Sequence, residues 1–390
     1  MKVKDSMAKF FSHSDKNYGL IIFLLFIGLL FQVLTGGIIF RPLNVTNIIM
    51  QNSYVMILAI GMLLCILTGN VDLSVGSTAA LVSALTGVMI VVNKMDTVAA
   101  FAIALGIGAV IGAWNGFWIA YVRIPAFIVT LGGMLIFRGL TLGVLQGKTL
   151  GPYPANFQII SSGFLPDLFG GDGFHITTLL VGLLGIGIYT FLAISKYRKQ
   201  KTYTTKTGGL APFVAILVIT NAALFAFAYL LALYQGIPTV MVLLTALILA
   251  YGFVTTRTTM GRHIYAFGGN QLAARLSGIN TNRVFFWVYV NNSILAALAG
   301  IVYAGRLNAA SPKAGNLFEL DAIAACFIGG ASASGGIGTV PGAIIGALVM
   351  GLMNNGMSIM GIGVDWQQAI KGLVLILAVA FDMLSKNRGR

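Results

Sequence analysis

Charge is what this chain lacks most. Of its 390 residues only 9% are Asp, Glu, Lys or Arg, against roughly 25% in soluble domains. Proline is scarce as well, with 9 residues, while 58% of the chain is hydrophobic. So few charges cannot cover the surface of a soluble fold this long, and a disordered chain does not carry this much apolar bulk. The remaining class is an all-α polytopic membrane protein. At about 20 residues per span, ten to twelve transmembrane helices fit the length.

The chemistry-bearing residues are equally thin. The chain has 10 acids, of which Glu319 is the one glutamate, and 3 histidines. His13, His175 and His263 are far apart, and no metal-ligand spacing such as HExxH or CxxC occurs. Glu319 and Asp321 are two apart, which puts them on different faces of a helix. The 2 cysteines, Cys65 and Cys326, sit in apolar runs and cannot build a disulfide framework or a metal site. GVLQGKT at 143–149 imitates a phosphate-binding loop but has three residues between its glycines instead of four, and no strand precedes it. Any ATP used by this system is therefore hydrolysed on another polypeptide.

What the sequence has is apolar runs, near 19–40, 53–69, 73–92, 97–122, 125–146, 174–195, 210–234, 238–256, 284–305, 317–334, 337–360 and 366–384. The first run is too long for a signal-peptide core and has no small-x-small cleavage site, so it is expected to remain as a span. The net charge of +14 comes mostly from four places: the tail with Lys2, Lys4, Lys9 and Lys16, the basic loop 196–206, the segment 257–283, and the C-terminal Lys386, Arg388 and Arg390. With the N-terminus inside, all four fall on the cytoplasmic side, as Lys and Arg do in membrane proteins. The basic excess thus reads as topology and gives no reason to expect nucleic acid. The loop 147–173 falls outside and is expected to hold one short amphipathic turn. No soluble domain interrupts the chain, so 1–390 is expected to be a single membrane domain.

Two stretches break the pattern. GNVDLSVGS at 69–77 and GGASASGGIGTVPG at 329–342 are too rich in Gly for simple helices. Bare backbone is tolerated at membrane depth only inside a bundle or along a wet cavity. One broken segment in each half points to a solute path. GAVIGAWNG at 108–116 and GAIIGALVMG at 342–351 hint at an inverted repeat, although close helix packing produces the same small-residue spacing. Asp72 reads either as an acceptor beside the path or as a helix N-cap, and Asn70 and Ser74 share that ambiguity. Asn115, Asn291, Asn292, Asn354 and Asn355 are amides within apolar helices, serving as interhelical glue or as solute contacts. Arg138 and Lys371, inside runs, are expected to pair with an acid, bind a carbonyl or snorkel. In 257–283, NQLAARLSGI reads as a short helix: Asn270 caps it, Ala273, Ala274 and Leu276 give an apolar side, and Gly278 stops it. A short inside helix held between two spans is suited to docking a partner.

At these residues the chain resembles bacterial monosaccharide ABC importer permeases. The resemblance is carried by GNVDLSVGS at 69–77, AYVRIPAFIVTLGGMLIFRGL at 120–140, GRHIYAFGGNQLAARLSGIN at 261–280, ELDAIAACFIGG at 319–330, GGIGTVPGAIIGALVMGLMNNGMSIM at 335–360 and WQQAIKG at 366–372. A surplus between 147 and 238, with two additional spans, resembles the longer xylose-type permease. The resemblance implies a fold like the vitamin B12 importer permeases with two extra helices. It also implies a bacterial inner-membrane homodimer, with both termini cytoplasmic, that imports a monosaccharide, D-xylose being the expected one. The implied partners are a periplasmic sugar-binding protein and a tandem-domain ATPase that holds ATP and Mg; the chain itself is expected to bind no cofactor and to carry no catalytic site. The family's coupling helix corresponds to Gly268, Gly269, Asn270, Ala273, Arg275, Leu276, Ser277 and Gly278. The expected path residues are Asn70, Asp72, Ser74, Asn115, Asn354 and Asn355. A proton- or sodium-driven carrier and a membrane transferase are the rivals; both need clustered ionisable groups that this sequence does not supply.

Overall fold

A computed structural model of the chain describes residues 17–170, 173–203 and 210–387. The four lysines of the N-terminal tail, His13, Asp172, Lys206, Arg388 and Arg390 lie outside the described residues. The helices are α1 (Asn17–Leu34), α2 (Pro42–Leu67), α3 (Val75–Gly87, continued by a π-helical turn Val88–Val92), α4 (Thr97–Ala120), α5 (Ala126–Leu145), α6 (Ala155–Ser162), α7 (Ile176–Tyr203) and α8 (Leu210–Ala232). They continue as α9 (Thr239–Arg257), α10 (Thr259–Gly269), α11 (Gln271–Leu276), α12 (Thr281–Leu307), α13 (Phe318–Ile328), α14 (Val340–Ile359) and α15 (Val364–Asn387). Among the described residues, 9 helices are long and apolar enough to cross a membrane. The protein is an all-α polytopic membrane protein.

The centre is α2, packed against α12, α14, α13 and α9. It begins eleven residues before the apolar run that announces it, because polar side chains interrupt the hydropathy of its first turns. Their hydrogen bonds are closed inside the bundle. Asn52 donates to the Ile48 carbonyl (2.7 Å), Thr46 to the Pro42 carbonyl (3.1 Å), and Asn44 to Asn355 Oδ1 on α14 (2.9 Å). In lipid no hydrophobic force draws helices together, so close approach and van der Waals contact decide the packing. Gly108, Gly112 and Gly116 form one stripe of α4, where added methyl groups would run into Ser293, Val290 and Phe286 of α12. Gly342 and Gly346 let α14 lie on the Gly329 and Ala325 carbonyls at the end of α13. The two repeat-like motifs are both close-packing stripes. They also stand at different removes from the breaks, since α3 lies between 69–77 and α4 whereas α14 follows 329–338 directly.

Three expectations need correction. The run 317–334 is not one continuous spanning helix: α13 has 11 residues, about 16 Å of helix against a 30 Å core, and then turns at Gly329–Gly330. The stretch 196–206 is not a loop at its start, because α7 continues to Tyr203; Lys, Arg and Gln are good helix formers and extend a span past the apolar run. The segment 257–283 is mostly helical, with α10 preceding the short helix read from the sequence. Thr258 caps α10 by accepting from the Gly261 amide (3.2 Å), and Gly261, Ile264 and Phe267 bury its inner face. The loop 147–173 does contain one short helix, α6.

The two additional helices form a hairpin. Gly182 lets α7 approach Ala228 of α8, Asn221 donates to Thr190 Oγ1 (2.9 Å), and the rings of Tyr197 and Phe213 stack at 4.2 Å. The outward residues of both helices are apolar and exposed, as lipid-facing surfaces are.

Candidate functional site

The short helix α11 is built as its sequence indicates. Asn270 Oδ1 accepts from the Ala273 amide (2.9 Å), satisfying one of the free N–H groups of the first turn. At the other end the Gly278 amide donates to the Arg275 carbonyl and the Ile279 amide to the Ala274 carbonyl, both at 3.1 Å. Gly278 stands at φ +83°, the left-handed position that ends helices and that side chains resist. The apolar side differs from the expected one. Ala274 turns inward and is buried, while Ala273 is exposed, and Leu272 and Leu276 are 67% and 80% exposed. Their spacing of four puts two leucines on one outward face, beside the exposed Arg275.

Immediately before α11, three glycine-rich pieces of backbone meet. A Cβ on Gly268 would collide with the Leu67 carbonyl oxygen and come within 2.6 Å of the Gly336 nitrogen, so the approach is possible only without a side chain. The Gly336 amide donates to that same Leu67 carbonyl (2.9 Å). The end of α2, the end of α10 and the turn after α13 thus share one seam. Beside it lies a cavity of about 210 Å³, bounded by Ile66, Gly69, Asn70 and Val71 from the first break, Ala333 from the second, and the rings of Phe127 and Phe327. Both Gly-rich breaks therefore line one cavity. Of the expected path residues, Asn70 is in this wall, its side-chain nitrogen donating to the Thr68 carbonyl (3.1 Å).

Asp72, Ser74 and Asn115 are elsewhere. All three are fully buried. Asp72 Oδ1 accepts from the Ser74 amide (2.8 Å) and Ser74 Oγ (2.6 Å), and Oδ2 accepts from Asn292 Nδ2 (2.8 Å). Asn115 Nδ2 donates to Ser74 Oγ (3.0 Å). This network bolts the start of α3 to α4 and α12: Asn115 and Asn292 act as interhelical glue, and the N-cap position of α3 is Ser74, which makes no side-chain cap bond. Buried polar groups of this kind are costly unless satisfied. Asn355 is held by Asn44, and Asn354 is half-buried on α14. Neither Asn354 nor Asn355 borders the cavity. Arg138 and Lys371, both half-buried, act as expected: Arg138 donates to the Ala314 carbonyl, and Lys371 pairs with Asp321 at 3.0 Å.

The profile of a family described as "Branched-chain amino acid transport system / permease component" matches residues 44–379. The chain belongs to this permease family. It is 39% identical to the xylose transport system permease protein XylH of Escherichia coli over 360 residues, 92% of this chain and 90% of the relative. The XylH protein of Haemophilus influenzae is 37% identical over 92% of this chain and 93% of the relative. The ribose import permease protein RbsC of Escherichia coli is 36% identical over 87% and 85%. No solved structure matches the chain.

Three groups in this permease went unread in the sequence. Phe127 and Phe327 lie in runs where an aromatic ring looks like any other apolar side chain, and only the fold brings them to the cavity. Tyr265 lies on α10 and donates from its hydroxyl to the Gly338 carbonyl (2.7 Å), across the seam. Burial pushes this phenol above its ordinary pKa, so it is protonated, and a donor, at neutral pH. The signal available for it was faint: a tyrosine three residues before a Gly-Gly pair in a basic segment.

Proposed function

We propose that this chain is the membrane subunit of an ATP-driven importer that carries a monosaccharide, D-xylose first among the candidates. The supporting observation is the exposed Leu272–Leu276 face of α11, rigidly capped at both ends and built onto a seam that borders a cavity. A hydrophobic helix face on the side of the basic segments needs a protein cover. The partner is a tandem-domain ATPase holding ATP and Mg, docked through Gly268, Gly269, Asn270, Ala273, Arg275, Leu276, Ser277 and Gly278. A periplasmic binding protein delivers the sugar to the opposite face. Two copies of the chain, each a single permease domain, assemble in the bacterial inner membrane with both termini cytoplasmic.

The cavity suits an uncharged polyol. Its wall combines aromatic rings, one amide and glycine backbone, and a sugar offers C–H faces to rings and hydroxyls to amides and carbonyls. The chain moves solute and leaves hydrolysis to its partner. Labelled uptake over a panel of pentoses and hexoses, with and without this subunit, tests the reading. Xylose uptake that needs the chain, the ATPase and ATP supports it. Uptake by the chain alone, driven by a proton gradient, refutes it and favours a secondary carrier.

A further inference from the structure

The turn after α13 is closed on itself. The Ser332 amide donates to the Ile337 carbonyl (2.8 Å) and the Gly335 amide to the Ser332 carbonyl (3.0 Å). Gly330, Gly335, Gly336 and Gly338 all stand at positive φ, so the turn is made of residues able to absorb large backbone rotations. One side of it, at Ala333, is cavity wall. The other side, at Gly336 and Gly338, faces α10. Directly after it Thr339 caps α14, accepting from the Gly342 amide (3.1 Å).

We propose that Tyr265 is the positioning residue that ties the docking segment to this turn, so that a displacement of α10 and α11 moves the cavity wall and the start of α14. The inference rests on the importer reading and deepens it. The Gly336 amide ties the turn to α2, not to α10; among the described residues the remaining approach of α10 to the turn is glycine backbone in van der Waals contact, which holds far more weakly under tension than a hydrogen bond. The phenolic hydrogen bond to Gly338 supplies the pull, and its acceptor lies in the mobile kind of backbone itself. A partner that drew α11 away would then open the wall at Ala333 and, through Thr339, shift α14 against α2. Removing the hydroxyl leaves the packing and cuts the return stroke.

Tyr265→Phe is nearly isosteric and isolates that hydroxyl. The chain, its ATPase and its binding protein are reconstituted in vesicles, and sugar imported per ATP hydrolysed is measured together with basal hydrolysis and ATPase co-purification. The expected result is intact assembly, unchanged basal hydrolysis, and a transport-to-hydrolysis ratio lowered about fivefold, the worth of one net hydrogen bond. An unchanged ratio, with wild-type import working, overturns the tie and leaves the importer reading standing. Assembly and import falling together, at constant ratio, also overturn it, because Tyr265 would then serve only the fold. Wild-type vesicles without ATP-dependent import refute the importer reading instead.

Discussion

Replacing Lys371 with Met should cost this protein more than replacing its partner Asp321 with Asn. Lys371 Nζ is 3.0 Å from Asp321 Oδ1 and 3.3 Å from Oδ2, fastening the first turn of α13 to α15. The partners are not equally sheltered: the lysine side chain is 23% exposed and the carboxylate 6%. Lys371→Met strands a buried carboxylate, which costs about 3–5 kcal/mol. Asp321→Asn leaves a long side chain that can swing its ammonium towards the polar region, so the loss is that of one charged hydrogen bond, about 1.5–3 kcal/mol. Replacing both, Lys371→Met with Asp321→Asn, removes the pair without stranding a charge and should recover part of the first loss. SDS-driven unfolding in mixed micelles of the three variants and the wild type gives the cycle. Equal costs for the two single variants, or a coupling below about 0.5 kcal/mol, would refute the reasoning.

Three further outcomes are expected. Gly278→Val forces a branched side chain into the left-handed region, at about 1–2 kcal/mol, and should reduce ATPase co-purification while the membrane bundle stays folded. Asn292→Leu deprives Asp72 Oδ2 of its donor and should lower stability in detergent by about 1–3 kcal/mol; an unchanged melting curve would contradict the network's structural role. In the loop before α7, hydrogen bonds from the Thr177 hydroxyl first, then from backbone amides, hold the Asp167 pKa down to about 2. A depressed carboxylate stabilises above its unfolded pKa of about 3.9, and that contribution is lost as pH falls through about 2. Protection of the Ile176 and Thr177 amides from hydrogen exchange, taken relative to the intrinsic rate at each pH, should therefore fall on acidification from pH 5 to 2, and Asp167→Asn should abolish that dependence.

Local signals carried a good deal of this fold. The cap at Asn270 and the stop at Gly278 were legible because capping is decided by a few neighbouring atoms. The broken segments were legible because glycine is conspicuous in an apolar run. The start of α2 was hidden for the opposite reason: Asn44, Thr46 and Asn52 look like loop residues until their acceptors, one of them on α14, are known. Asp72, Ser74 and Asn115 were drawn toward the path by their polarity alone. Polarity cannot distinguish a side chain that faces solute from one that faces another helix, and the bonds that tie these residues to other helices reach tens to hundreds of residues along the chain. Phe127 and Phe327 failed the other way, being too ordinary among their neighbours to be noticed.

The dependence of α2 on distant segments sets an order of assembly. Its Asn44 finds Asn355 only across 311 residues of chain, and α12, α13 and α14, which wrap it, all emerge from the ribosome long afterwards. During synthesis the second helix must wait beside lipid or the insertion machinery with Asn44 still lacking its partner on α14. A chain halted before residue 340 would keep that debt, and the membrane's proteases would meet it as an unfinished product.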